Sequence, residues 1–121
     1  MVEKYAFVML GGAVGSLARY VAGIAIAGRF PGRFPLGTLF VNLTGCFVIG
    51  AVMPIVIHKP NWRLLLVTGF LGGYTTYSAF AYETYASVRG GSSWIGLLNV
   101  VASVALGYLA VWLGAICAGR R

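Results

Sequence analysis

Inside an apolar run long enough to cross a bilayer sits Gly69-Phe70-Leu71-Gly72-Gly73-Tyr74-Thr75-Thr76-Tyr77-Ser78-Ala79-Phe80, a stretch built to interrupt a helix. Each of its adjacent glycines weakens helix propensity by roughly 1 kcal/mol against alanine. The two threonines behind them carry hydroxyls that compete for backbone hydrogen bonds. An interrupted helix in hydrocarbon leaves N–H and C=O groups without partners. That is tolerated only where the backbone is buried in protein or lines a polar cavity. The stretch therefore reads as a site, with free carbonyls for a cation, hydroxyls for an anion path, and two aromatic rings, Tyr77 and Phe80, three residues apart.

The remainder of the chain is equally suited to lipid. Of 121 residues 60% are apolar and 9% charged, with a mean hydropathy of +0.88, where soluble domains carry about a quarter charged residues. Four apolar stretches, about 5–27, 36–57, 62–86 and 94–118, each reach the ~20 residues that span a hydrocarbon core of about 30 Å. Short connectors separate them: 28–35, rich in Gly, Arg and Pro, then His58-Lys59-Pro60-Asn61, then Arg89-Gly90-Gly91-Ser92-Ser93. Connections this short place neighbouring spans antiparallel. The expectation is an all-α membrane protein, a single four-helix transmembrane domain over 1–121 whose third helix is broken. The first stretch is too long for the apolar part of a signal peptide, so it is expected to remain as a span.

The net charge is +7, but the basic residues are scattered through loops and ends rather than gathered on one face, which argues against nucleic acid. Their placement bears on topology instead. One side of the membrane holds Lys4, Lys59, Arg63, Arg120 and Arg121; the other holds Arg29, Arg33 and Arg89, with Arg19 deep in or near the end of the first span. Five against three or four is a feeble instruction under the positive-inside rule, so such a chain is able to insert in both orientations. Cys46 and Cys117 read as small buried apolar residues rather than a disulfide pair.

A chain this thin hardly surrounds an aqueous path by itself, and oligomerisation is expected. Gly11 and Gly15 form a small-xxx-small pair that Ala18 prolongs, Gly45 and Gly50 thin the second span, and Gly107 and Gly114 thin the fourth. These glycines predict close helix approach, including across a subunit boundary. Polar residues within the spans are few. Arg19 is either a snorkelling anchor or an attractor for anions at a vestibule. Asn42 donates through its amide without changing charge, either to a neighbouring helix or to a permeant anion. Glu83 has three open roles: pairing with a basic residue, carrying a proton, or sitting at the membrane interface. Asn99 and Ser103, four apart, share a face of the fourth span. One histidine, two carboxylates and two separated cysteines supply no triad, no acid–base pair and no metal cluster, so an enzyme is not expected.

The blocks Gly11-Gly12-x-x-Gly15-x-x-x-Arg19-Tyr20, Gly37-Thr38-Leu39-x-Val41-Asn42 and Thr68-Gly69-x-x-Gly72-Gly73-x-Thr75-Thr76-Tyr77-Ser78-x-Phe80-x-x-Glu83, in that order, closely resemble the Fluc/CrcB family of fluoride channels. The fourth span, Ser103 to Gly114, resembles the family less specifically. The resemblance implies a dual-topology homodimer of inverted subunits in the inner (plasma) membrane, with two fluoride pathways. It also implies one structural sodium ion at the dimer interface, held by the backbone carbonyls of Gly72 and Thr75. Asn42 would be the pore amide, Tyr77 and Phe80 the aromatic lining, and Ser78 part of the polar track. Thr76 and Ser103 belong with that fluoride pathway, Glu83 with its far end, and Arg19 with the vestibule.

Two positions depart from the family pattern: Tyr77 stands where phenylalanine is common, and Ala79 where a hydroxyl often stands. Fluoride is small and tightly hydrated, so a pore must replace its water with close donors. Amide and hydroxyl groups do so, and aromatic edges carry the positive part of the ring quadrupole. The implied role is passive export: hydrogen fluoride enters acid-exposed cells neutral, dissociates, and leaves its anion needing an exit. The competing reading is a small multidrug-resistance-type proton-coupled exporter, which needs a carboxylate within the first span, whereas Glu3 precedes the apolar run. A non-transporting assembly subunit would leave the Gly-Gly-x-Thr-Thr stretch unexplained.

Overall fold

In the computed structural model, which describes residues 2–119, every regular element is helical. Arg120 and Arg121, which enter the charge balance above, lie outside the described residues. The first span is α1 (Val2–Arg29) and the second α2 (Leu36–Val56). The third is assembled from α3 (Pro60–Arg63), a π-helical segment (Leu64–Leu71), α4 (Gly72–Tyr74) and α5 (Tyr77–Arg89); the fourth is α6 (Ser93–Cys117). Four helices, Val2–Arg29, Leu36–Val56, Pro60–Arg89 and Ser93–Cys117, are long and apolar enough to cross a membrane. The helices outrun the apolar stretches in places: Glu3 falls inside the first turn of α1, where it is exposed.

Local chemistry sets the ends. Pro35 precedes α2, and Pro60 occupies the first turn of α3, where a missing N–H costs nothing. Gly91, between α5 and α6, has φ 82°, and Gly119, just past α6, has φ 78°; both lie in the left-handed region that closes helices and favours glycine.

Each helix has two neighbours to satisfy. The contacts of α1 fall mainly on the π-helical segment, with α2 and α4 next, those of α2 fall mainly on α6, and α5 packs on α6. The third span is therefore handed from α1 to α6 at its bend. Glycine makes these approaches possible. A Cβ at Gly11 would run into the Leu65 carbonyl and one at Gly15 into that of Phe70. At Gly50 it would strike the Val111 carbonyl, at Gly114 that of Phe47, and at Gly45 the Thr75 side chain. All these contacts lie within one chain. The close helix approach expected at these glycines is met within the chain, where each of the five faces a neighbouring span. Cys117 is likewise exposed, and only Cys46 is partly buried; the end of α6 has no helix of this chain over it.

The buried apolar core is small: Val41, Val56 and Leu71 are 1–4% exposed, whereas Tyr108, Trp94 and Val104 stand 78%, 72% and 67% exposed. Such an exterior needs lipid or protein around it, not water. If the glycine contacts hold the bundle together, Gly114→Val should destabilise the folded protein by about 2 kcal/mol or more through overpacking, while Gly28→Val, with nothing within 4 Å of its Cβ position, should be neutral. Unfolding in detergent measures both; equal stability of the two variants would contradict close packing at Gly114.

Candidate functional site

The third span bends at Thr75 and Thr76, not at the glycines. Gly72 and Gly73 remain helical, whereas Thr75 has φ −83°, ψ 156° and Thr76 φ −146°, ψ 112°, both extended. β-Branched residues suit that conformation. Glycine serves another purpose here: a Cβ at Gly73 would lie 2.6 Å from the Gly12 carbonyl oxygen, so it keeps α4 against α1.

Extended residues inside a membrane helix need partners, and Asn42 supplies them. Its Nδ2 donates to the Thr76 carbonyl at 3.0 Å, and its Oδ1 accepts from the Thr76 N–H at 2.7 Å. One carboxamide thus pairs with both backbone groups of one residue, as a neighbouring β-strand would. Tyr74 makes a second tie to α2, its hydroxyl 2.8 Å from Thr44 Oγ1, and its ring stacks on Phe70 at 5.8 Å. Thr75 Oγ1 returns to the Leu71 carbonyl at 2.8 Å. Thr76 caps α5, its Oγ1 accepting from the Ala79 N–H at 3.3 Å.

This rerouting of donors has a consequence for acceptors. In an unbroken helix the Thr76 N–H would serve the Gly72 carbonyl, and the Ala79 N–H that of Thr75. The first goes to Asn42 and the second to the Thr76 hydroxyl. The carbonyls of Gly72 and Thr75 are thereby released from helical donors. Among the described residues no three His, Cys, Asp or Glu side chains gather into a metal cluster.

Two grooves meet at the bend. One is lined by Asn42, Gly72, Thr75, Thr76, Tyr77, Phe80 and Ser103, with Cys46, Leu71 and Val104. The rings of Tyr77 and Phe80 lie 5.8 Å apart, tilted by 52°. The other groove is lined by Ser16, Arg19, Arg33, Thr38, Thr76 and Glu83 among others. Thr76 belongs to both. Ser78 lines neither: it is exposed on the far side of the α5 start, with its hydroxyl 3.5 Å from that of Thr76. Arg19 is partly buried at the basic groove. Glu83 accepts from the Thr38 hydroxyl at 2.6 Å, while its Oε2 is buried without a partner. Of the three roles left open for Glu83, its hydrogen bond goes to a hydroxyl on α2.

Sequence reasoning missed Thr38 as the partner of Glu83, Thr44 as the partner of Tyr74, and Thr84 as the partner of Asn99. Their separations of 45, 30 and 15 residues leave no periodic signature. The π-helical segment was equally invisible, since Leu64–Leu71 reads as plain apolar helix.

The profile of the CrcB-like protein family (Camphor Resistance, CrcB) matches residues 6–115. A protein of Solibacter usitatus named fluoride-specific ion channel FluC is 57% identical over 97% of this chain and 99% of its own length. A namesake from Acidobacterium capsulatum is 47% identical, covering 97% of each chain. One from Thermus thermophilus is 43% identical, covering 93% and 91%. With a full-length profile match and relatives this similar from end to end, the chain belongs to the CrcB family.

Proposed function

We propose that this chain is a fluoride-selective channel that lets cytoplasmic fluoride leave passively. The observation that carries the reading is the groove at the third-span bend. It joins Asn42, Thr76, Tyr77, Phe80 and Ser103 in a family whose relatives are named fluoride-specific ion channels. The chain's relatives are named ion channels, and no enzymatic role is part of this reading. A multi-pass membrane location follows from the four apolar helices, and the plasma membrane is where such an exit would serve the cell.

The chemistry of passage is donor chemistry. Asn42 commits one of its two amide protons to Thr76, leaving the other for an anion. The hydroxyls of Thr76 and Ser103 add donors, and the edges of Tyr77 and Phe80 present positive potential. Arg19, in the adjoining groove, raises the local anion concentration. Thr76, common to both grooves, is the point where the anion passes from the basic side to the aromatic side. Short-range donors in a narrow path favour a small ion over chloride.

The aromatic groove, about 470 Å³ in volume, is open along one side. A single-file path therefore needs a second wall from another subunit. Weak charge bias and the exposed faces of Tyr77, Tyr82 and Tyr108 (80%, 69% and 78% exposed) support an inverted homodimer. The released carbonyls of Gly72 and Thr75, doubled by symmetry, fit a sodium ion between the two bends. That ion would supply positive charge to otherwise unpaired oxygens and have a structural role.

Fluoride efflux from liposomes tests the donor path. Asn42→Asp replaces the amide donor by a charge that is costly at this depth and should abolish flux in folded protein. Phe80→Ile keeps apolar bulk without the quadrupole and should fall roughly tenfold or more, about 1.4 kcal/mol of lost edge interaction. Tyr77→Phe keeps the edge and should conduct as the parent does. A dead Tyr77→Phe beside an unimpaired Phe80→Ile would transfer the work to the tyrosine hydroxyl.

Topology is checked by membrane-impermeant labelling of a cysteine introduced in the 28–35 loop, in a chain lacking Cys46 and Cys117. Both sides should label; reaction from one side alone rules out dual insertion. For the cation, exchanging sodium for N-methylglucamine should lower the thermal midpoint of the assembled protein. A midpoint indifferent to complete sodium removal would leave the Gly72 and Thr75 carbonyls without this role.

A further inference from the structure

We infer that Asn99 and Thr84 form a two-residue relay that sets the position of Phe80, and through it the rate at which each channel passes fluoride. Asn99 is the one buried polar side chain among the described residues, 2% exposed. Its Nδ2 donates to Thr84 Oγ1 at 3.0 Å. That hydroxyl donates in turn to the Phe80 carbonyl at 2.8 Å. A threonine bonding back to the carbonyl four residues earlier is common and slightly bends a helix. A fully buried amide on a different span, aimed at that threonine, is not required by this habit. With its lone pair taken by Asn99, the Thr84 hydroxyl has its proton directed at Phe80.

Packing points to the same contact. A Cβ at Gly96, three residues before Asn99, would lie 3.2 Å from the Thr84 carbonyl and 2.9 Å from Val88 Cγ2. Gly96 thus brings α6 against α5 at the level where the relay crosses. Because α5 packs mainly on α6, and the extended Thr75–Thr76 link frees it from α4, its register is decided by α6. One turn beyond Asn99, Ser103 lines the same groove as Phe80. The face of α6 that holds Thr84 therefore continues into the path. Asn99 and Thr84 are positioning residues; the groove lining at this level is Phe80 and Ser103.

Single-channel recording of reconstituted protein tests the relay, because misplacing Phe80 lowers the current of every channel, whereas a folding defect only lowers their number. Thr84→Val and Asn99→Leu should each reduce unitary fluoride current on the order of threefold to tenfold, the size of effect one hydrogen bond commands. Thr84→Ser keeps the hydroxyl and should restore the parental current. The double variant should be no worse than either single, since both cut one chain of bonds. Parental unitary current in folded Thr84→Val or Asn99→Leu overturns the relay. So does failure of both to fold while Thr84→Ser is normal, which would assign the pair to packing alone. The inference rests on Phe80 lining the path. An unimpaired Phe80→Ile removes that premise, whereas an essential Phe80 beside an inert Thr84→Val removes only the positioning.

Discussion

The double hydrogen bond between the Asn42 carboxamide and the backbone of Thr76 is the interaction on which the site depends. Two consecutive extended residues within a membrane span leave groups that neither lipid nor the helix itself can satisfy. Asn42 meets the N–H and the C=O of Thr76 at 2.7 and 3.0 Å, and the extended link becomes stable only in its presence. The other features of the bend follow. Thr76 is free to cap α5, Tyr77 and Phe80 begin a helix in a new direction, and the Gly72 and Thr75 carbonyls lose their helical donors. Of the two possibilities open for Asn42 in the sequence, the structure shows the bond to a neighbouring span, and one amide proton is left over for the role proposed above.

Close packing supplies the rigid frame for this interaction. Hydrocarbon offers no hydrophobic drive between helices, so contact area and backbone approach take its place. Gly11 and Gly15 admit the third span to α1, Gly73 seats α4, and Gly50 and Gly114 lock α2 to α6. Asn42 rides on α2 beside Val41, which is 1% exposed. Its reach to Thr76 is thus fixed by a helix that is itself held by α6. The first half of the third span is governed by α1 and the second by α6, and the bend is where these two dependencies meet.

The grooves on either side of Thr76 differ in kind. Arg19 and Arg33 give one a positive wall, with Glu83 tied to Thr38 within it. Aromatic edges, an amide and hydroxyls give the other a lining without formal charge. On the proposed route, an anion moving between them would exchange long-range attraction for short-range donation. That is how a path attracts a strongly hydrated ion without trapping it against a permanent charge. The relay from Asn99 through Thr84 extends this organisation to the fourth span, which otherwise contributes Ser103.

Much of this was legible before any coordinates. Four spans follow from runs of apolar residues whose length must match a bilayer, and the polar punctuation between them is local chemistry. The blocks around Gly11–Arg19, Asn42 and Gly69–Glu83 carry the family resemblance, and in the fold they supply close approach and the chemistry of the bend. Folding in three dimensions decided the rest. The sequence marked the Gly72–Thr76 stretch as the weak point, and only the fold decides that the departure from the helix comes at Thr75–Thr76, where a partner on α2 exists. It predicted close helix approach at the glycines, and the fold decides which neighbours they meet, which are spans of the same chain. The pairs Thr38–Glu83, Thr44–Tyr74 and Thr84–Asn99 join residues 45, 30 and 15 positions apart. Sequence by itself determines what each residue prefers, because propensity and hydrophobicity act over a turn or a span. Which distant donor meets which acceptor is set only when the helices pack, because hydrogen bonds need partners within about 3 Å and no local pattern encodes that proximity.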